Sequence, residues 1–231
     1  MYSLNMNGKL YIVSTPIGNL KDITSRALET LEQVDFILCE DTRITSRLLN
    51  HYNITKKLIS FNAVSETKKI PIALKKIQIG ENCALVSDAG TPAISDPGIR
   101  LISQAIKEEI EIIPIPGASA LIAALTVSGL PTDAFVFEGF LPQKKGRQKK
   151  LKELSEEKRT IVLYESTYRI KKLLDELVDY MPGRFMVVCR ELTKMFEETW
   201  HGYPNELKEQ LNEKVVKGEF VVVISPKEWK I

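Results

Sequence analysis

The stretch Leu10-Tyr11-Ile12-Val13-Ser14-Thr15-Pro16-Ile17-Gly18-Asn19-Leu20 is a short apolar run that breaks into a turn. Uncharged Leu, Tyr, Ile and Val in succession suit a strand buried on both faces, and Pro16 and Gly18 stop it by removing a donor and freeing the backbone. Runs of the same kind recur at residues 34–39, 83–87, 110–115, 135–138, 161–165, 185–189 and 220–225. Amphipathic, helix-length segments lie between them, each with a start signal. Asp22 precedes 23–33, Asp41 precedes a helix through Leu49, and Asp96-Pro97 opens a segment through Glu108. Ser166 opens 167–180, and Pro204 sits in the first turn of 205–213. The alternation predicts an α/β protein with largely parallel sheets. A Gly/Pro-rich stretch at 114–131 and a shift to basic composition near Leu141 predict two domains, 1–117 and 118–231.

The 231 residues carry 32 Lys and Arg against 30 Asp and Glu, a net charge of +2. With 44% hydrophobic and 27% charged residues the chain buries a core of ordinary size, and intrinsic disorder is excluded. No apolar run approaches the roughly 20 residues of a membrane helix. Residues 1–9 do not read as a secretory signal, so the expected compartment is the cytoplasm. Cys39, Cys83 and Cys189 each sit in an apolar run and read as buried thiols; with two histidines, no metal centre is expected.

Charge is unevenly placed. Residues 141–172 hold eleven basic side chains and four acids, a surplus of seven, so the remainder of the chain sums to −5. Such a block suits either a solvated helix face or a polyanion surface.

Three strand ends in the first half carry unusual turns: Thr15–Leu20, Asp88-Ala89-Gly90-Thr91-Pro92-Ala93-Ile94-Ser95-Asp96-Pro97-Gly98, and Pro116-Gly117-Ala118-Ser119-Ala120. Ligands of open α/β sheets bind beyond the carboxyl ends of strands, where small residues let a ligand lie against backbone groups. Neither G-x-G-x-x-G, nor the phosphate-binding P-loop, nor G-x-S-x-G occurs, which argues against the ordinary dinucleotide, nucleotide and serine-hydrolase readings. What remains is a backbone-lined site for a cofactor that carries its own reactivity. Polar groups cluster at other strand ends, in Glu40-Asp41-Thr42-Arg43, Tyr164-Glu165-Ser166 and Arg190-Glu191-Leu192-Thr193-Lys194.

Together with Glu138-Gly139-Phe140-Leu141-Pro142, these ordered motifs resemble the ribosomal RNA small subunit methyltransferase I family, within the tetrapyrrole methylase superfamily. The resemblance spans about residues 10–225. It implies two α/β domains, each a mixed, mostly parallel sheet flanked by helices, with S-adenosyl-L-methionine in a cleft between them. It implies 2′-O-methylation of a cytidine ribose in 16S ribosomal RNA near the decoding centre, within the small subunit, by a homodimer. The positions matching the cofactor site are Pro16, Asp88, Ala89, Gly90, Thr91, Ile94, Ser119, Ala120, Glu165 and Leu192.

For catalysis, Asp41, Glu165 or Glu191 would accept the ribose proton, and Arg43 or Lys194 would orient its phosphate. For RNA, the surface would be Lys144, Lys145, Arg147, Lys149 and Lys150 with Arg169. Two departures from the family pattern stand out. Phe61-Asn62-Ala63-Val64-Ser65-Glu66 replaces a His/Asn-rich stretch, so no histidine there moves a proton; and the chain ends at Ile231, without the small helical extension many members carry. Two other readings share these features: a small-molecule methyltransferase acting on a tetrapyrrole, and a non-catalytic RNA-binding assembly factor.

Overall fold

A computed structural model describes residues 7–212 and 217–230. The chain divides into two compact units, with the break between Ser119 and Ala120.

The first unit holds β1 (Leu10–Val13), α1 (Ser25–Gln33), β2 (Phe36–Cys39), α2 (Thr42–His51), β3 (Lys57–Ser60), α3 (Glu66–Gln78), β4 (Cys83–Leu85), α4 (Ile99–Lys107) and β5 (Ile112–Ile115). All five strands run parallel in the order β3-β2-β4-β1-β5. Parallel neighbours need crossover connections, which α1 to α4 provide. Strand alternation then divides the core. Leu10, Phe36, Leu38, Cys83 and Leu85 pack with Ile70, Leu74, Ile77 and Leu101 of α3 and α4. Val13, Ile37, Cys39, Ala84 and Ile115 pack with Ala27, Leu31 and Leu49 of α1 and α2. Helices therefore cover both faces, and the inner strands β1, β2 and β4 are built of apolar residues.

The second unit holds α5 (Ala120–Ser128), β6 (Phe135–Phe140), α6 (Arg147–Ser155), β7 (Thr160–Ser166), α7 (Ile170–Tyr180), β8 (Met186–Arg190), β9 (Glu198–Gly202), α8 (Pro204–Asn212) and β10 (Glu219–Ile224). Its sheet order is β6-β7-β10-β8-β9. Here the expectation of a mostly parallel sheet is corrected. Only β6 and β7 are parallel, whereas β10 runs antiparallel to both β7 and β8, and β9 antiparallel to β8. The cause is β9, whose Glu-Thr-Trp-His-Gly composition gives no strand signal. A loop at 191–197 without a helix folds it back on β8, so α8 returns the chain for β10 to run against its neighbours. One face packs Ile161, Leu163, Met186, Val188, Phe220 and Val222 against Leu151, Leu173, Leu177 and Leu207 of α6, α7 and α8.

Several helix starts shift from their sequence signals. Asn19 caps a 3₁₀ turn at Leu20–Asp22, so Thr24 rather than Asp22 caps α1, accepting from the Ala27 amide. Gly98 precedes α4, and α7 begins at Ile170 because Ser166 completes β7. Asp41 caps α2 and Pro204 opens α8 as expected; the expected end of that helix at Glu213 lies outside the described residues. All three cysteines are buried thiols. Among the described residues no helix is long and apolar enough to cross a membrane.

Arg184 ties the second unit together. It is 4% exposed, and its guanidinium donates to the carbonyls of Ser225 (Nε, 2.7 Å), Leu154 (3.0 Å) and Arg159 (3.4 Å), with a second, short bond to Ser225. Burial lowers its pKa to about 10, partly offset by Glu157. Arg184→Met keeps the volume but strands the carbonyls. It is expected to lower the unfolding free energy by about 2–4 kcal/mol, measured by urea denaturation followed by circular dichroism.

Candidate active site

A parallel sheet delivers every strand's carboxyl end to one edge, and the order β4-β1-β5 sets three Gly/Pro turns side by side. They are laced together. The Thr15 amide donates to the Gly90 carbonyl (2.9 Å) and the Gly90 amide to the Thr15 carbonyl (3.1 Å), an isolated antiparallel bridge between the first two turns. The Thr15 hydroxyl donates to the Ser87 carbonyl at 3.1 Å, and the Ser87 hydroxyl to the Gly90 carbonyl at 3.1 Å. Thr91 Oγ1 donates to the Ala118 carbonyl in the third turn (3.2 Å) and lies 2.9 Å from Ser14 Oγ. A hydroxyl has one hydrogen, so Ser14 donates to Thr91 and a directed chain runs across all three turns.

Two glycines make this spacing possible. Gly90 has φ +83°, and a Cβ there would lie 3.3 Å from Ile17 Cγ2. A Cβ on Gly117 would stand 2.9 Å from Ser14 Cβ. Pro16 is buried beneath the first turn, Ala89 and Ile94 are exposed on the second, and Ser119 closes the third, with Ala120 beginning α5. These turns present backbone and small side chains, which fits an extended, uncharged-edged cofactor better than a polyphosphate.

Carboxylates gather beside them. The Asp41 amide donates to Asp88 Oδ1 at 3.0 Å, and the Asp88 amide to Glu40 Oε1 at 3.3 Å, a reciprocal tie between the neighbouring ends of β2 and β4. Burial raises the carboxyl pKa of both Glu40 and Asp88. Asp96 rises furthest, to about 7, through burial and then repulsion from Glu40 and Asp88. Asp41 behaves oppositely. Its hydrogen bonds from the Arg43 side chain (Nη2 at 2.6 Å) and amide hold it at about 2. It caps α2 and pairs with Arg43. Asp96 had read only as a helix start. Its signal was a third acid on an adjacent strand end, and adjacency of β2 and β4 is invisible before the sheet order is known.

In the second unit, Glu165 is 2% exposed, with Arg169 Nε at 2.8 Å, the Ser166 amide at 2.8 Å and Arg147 Nη2 at 3.9 Å. Its carboxylate is committed to this network. Arg147, 3% exposed, pairs with Glu176 at 2.6 Å and donates to the Pro142 carbonyl. It is buried, with its guanidinium engaged by these partners. Arg169 is held by Glu165 and lies over the Phe140 ring, so its guanidinium is likewise engaged. Lys150 pairs with Glu138 at 2.9 Å, while Lys144, Lys145 and Lys149 remain exposed.

Glu191 accepts from Lys194 Nζ (2.9 Å) and the Glu219 amide (3.0 Å). Burial raises its pKa, but those bonds and the neighbouring cations outweigh it and leave the carboxyl below its usual range. Lys194 is bonded to both Glu191 and Glu219, so this pair too is structural in geometry. Leu192, 7% exposed, is flanked by Glu191 and Thr193 at φ 51° and 68°. Ile94 is flanked in the same way by Ala93 and Ser95 at φ 67° and 64°.

The family model for Tetrapyrrole (Corrin/Porphyrin) Methylases matches residues 9–208. Solved structures similar to the chain include a cobalt precorrin-4 methyltransferase, with TM-score 0.71 and 20% identity over 96% of this chain and 95% of that one. Another is uroporphyrin-III C-methyl transferase from Thermus thermophilus complexed with S-adenyl homocysteine, with TM-score 0.66 and 16% identity over 94% and 97%. The chain is thus a methyltransferase of the tetrapyrrole methylase family. Its sequence is 50% identical to the ribosomal RNA small subunit methyltransferase I of Synechocystis, over 94% of this chain and 79% of that protein. It is 47% identical to that of Thermotoga maritima over 96% and 100%, and 48% identical to that of Escherichia coli O157:H7 over 95% and 78%. Within the family, it belongs with the ribosomal RNA small subunit methyltransferase I proteins.

Gly117→Ala is expected to push the third turn off the first and to destabilise the protein by about 1–3 kcal/mol in urea denaturation. Gly183→Ala is the control, since a Cβ there meets nothing within 4 Å. It is expected to be neutral.

Proposed function

We propose that the chain transfers a methyl group from S-adenosyl-L-methionine to the ribose 2′-hydroxyl of a cytidine in 16S ribosomal RNA, near the decoding centre. It acts in the cytoplasm, as a homodimer, on the small ribosomal subunit. The observation that carries this reading is the contrast in identity. Relatives named for ribosomal RNA stand at 44–50% over nearly the whole chain, while the uroporphyrin and precorrin methyltransferases stand at 15–20%.

The cofactor supplies an electrophilic sulfonium methyl, so the chain's task is chiefly alignment. Pro16, Ala89, Gly90, Thr91 and Ile94 would hold it on the laced turns of the first unit with Ser119, and Ala120 and Leu192 are the matching positions in the second unit. Glycine at 90 and 117 keeps Cβ atoms out of that cradle. Asp88, tied to the Asp41 amide, fixes the acidic rim. A ribose hydroxyl is a weak nucleophile at neutral pH, and a carboxylate titrating near 7 is suited to accept its proton. Asp96 meets that condition and lies in the same turn as Ile94; Asp41, Glu165 and Glu191 are engaged in ion pairs. Arg43 and Lys194 hold those carboxylates and act through them.

Small subunits purified from cells without the gene are incubated with methyl-labelled cofactor, and the site is mapped by nuclease digestion and mass spectrometry. One 2′-O-methylcytidine in 16S ribosomal RNA is the expected product. Label entering a tetrapyrrole precursor instead, or RNA retained with no transfer, would replace this reading by one of its competitors. The transfer rate is expected to rise with pH through about 7 as Asp96 loses its proton, and Asp96→Asn to lower kcat by about 10²-fold or more and abolish that limb.

A further inference from the structure

Ion pairing removes much of the basic segment from contact with a ligand. Arg147 is buried on Glu176, Lys150 faces Glu138, Arg159 faces Glu157 and Arg169 faces Glu165. Three of the remaining lysines converge. A cavity of about 420 Å³ between the start of α6 and the side of α7 is lined by Gln143, Lys144, Gln148, Lys149 and Lys172, with Arg147 and Glu176 also in its wall. Among the described residues neither Lys144 nor Lys172 forms an ion pair, and Lys149 meets Glu153 only at 3.9 Å with its side chain 83% exposed. The one acid in the wall, Glu176, is neutralised by Arg147 at 2.6 Å.

The cavity therefore presents two unpaired ammonium groups, a third that is exposed and only loosely paired, and two amides, over a charge-balanced wall. No hydrophobic side chain lines it, so neither an apolar peptide nor a macrocycle finds a complementary surface there. A hydrophilic polyanion does. We infer that this cavity grips the phosphate backbone of ribosomal RNA, with Lys144, Lys149 and Lys172 neutralising phosphates and Gln143 and Gln148 donating hydrogen bonds to their oxygens. The inference rests on the reading of the chain as a ribosomal RNA methyltransferase, and it gives these residues a positioning role outside the chemistry. Their placement on two elements, α7 and the segment opening α6, distinguishes the grip from a run of lysines on one helix face.

The test uses the full chain carrying Lys144→Gln, Lys149→Gln and Lys172→Gln together. Affinity for unmethylated small subunits is measured across a salt series, alongside kcat, KM and cofactor affinity by calorimetry. Each lost phosphate contact reduces the slope of log K against log salt by about 0.7, so three lower it by about 2. KM for the subunit is expected to rise at least tenfold, with kcat within about twofold and cofactor affinity unchanged, which also reports an intact fold. The matched control, Lys57→Gln with Lys75→Gln and Lys107→Gln, removes the same charge from the first unit and is expected to keep the wild-type slope. A wild-type slope and KM in the cavity variant, an equal loss in the control, or a fall in kcat at unchanged KM would overturn the grip while leaving the methylation reading in place. Wild-type protein that leaves the subunit unmethylated would instead sink the functional reading, and the grip with it.

Discussion

The reciprocal backbone pair between Thr15 and Gly90 is the constraint from which the candidate site follows. The sheet order brings the ends of β4, β1 and β5 together, but strand ends alone leave three independent loops. Two N–H···O bonds, closed by the Ser14–Thr91–Ala118 hydroxyl chain, make them one surface. Each of those bonds is worth only about 1 kcal/mol net, yet leaving the buried groups unpaired would cost more, so the turns hold or fail together. The price of the arrangement is steric: it exists only where Gly90 and Gly117 carry no side chain.

The second unit solves its positioning problem with charge instead of backbone. Arg147, Glu165, Arg169 and Glu176 join the start of α6, the end of β7 and both ends of the first turns of α7 in one largely buried network. Desolvating four charges is unfavourable on its own, and such a network is better read as fixing geometry than as adding stability. Its consequence for the surface is direct. By drawing Arg147 inward to neutralise Glu176, it leaves the wall beside Lys144, Lys149 and Lys172 without net negative charge.

Strands buried on both faces were legible in the sequence because their signal is composition, and all eight expected runs are strands. The two that escaped, β3 and β9, lie at sheet edges, where exposed Lys57 and the largely polar Glu198–His201 run carry no such signal. Losing β9 is what turned the second sheet's antiparallel ladder into an expected parallel one. The three turns at the ends of β1, β4 and β5 were legible as local Gly/Pro chemistry. Side-chain roles were not, because they depend on partners far along the chain. Glu176 sits 29 residues from Arg147, and Glu40 sits 48 from Asp88. A basic count over 141–172 could therefore register charge without registering which cations were already taken.

The same backbone strain occurs in each unit despite their different sheets. Ile94 follows β4 and Leu192 follows β8, and each is bracketed by two non-glycine residues at positive φ. Left-handed conformations at non-glycine residues cost about 1 kcal/mol or more apiece, so neither turn would form by local preference. Side-chain bonds hold the second: within the loop the Thr193 amide donates to Glu197 Oε2 at 2.6 Å and Lys194 bonds Glu191, and the Glu219 amide fixes Glu191 from β10. The effect of the bracketing is the same in both turns: it sets a single aliphatic side chain at a strand's carboxyl end, exposed in one unit and nearly buried in the other. Two sheets of unrelated topology have thus arrived at one backbone device.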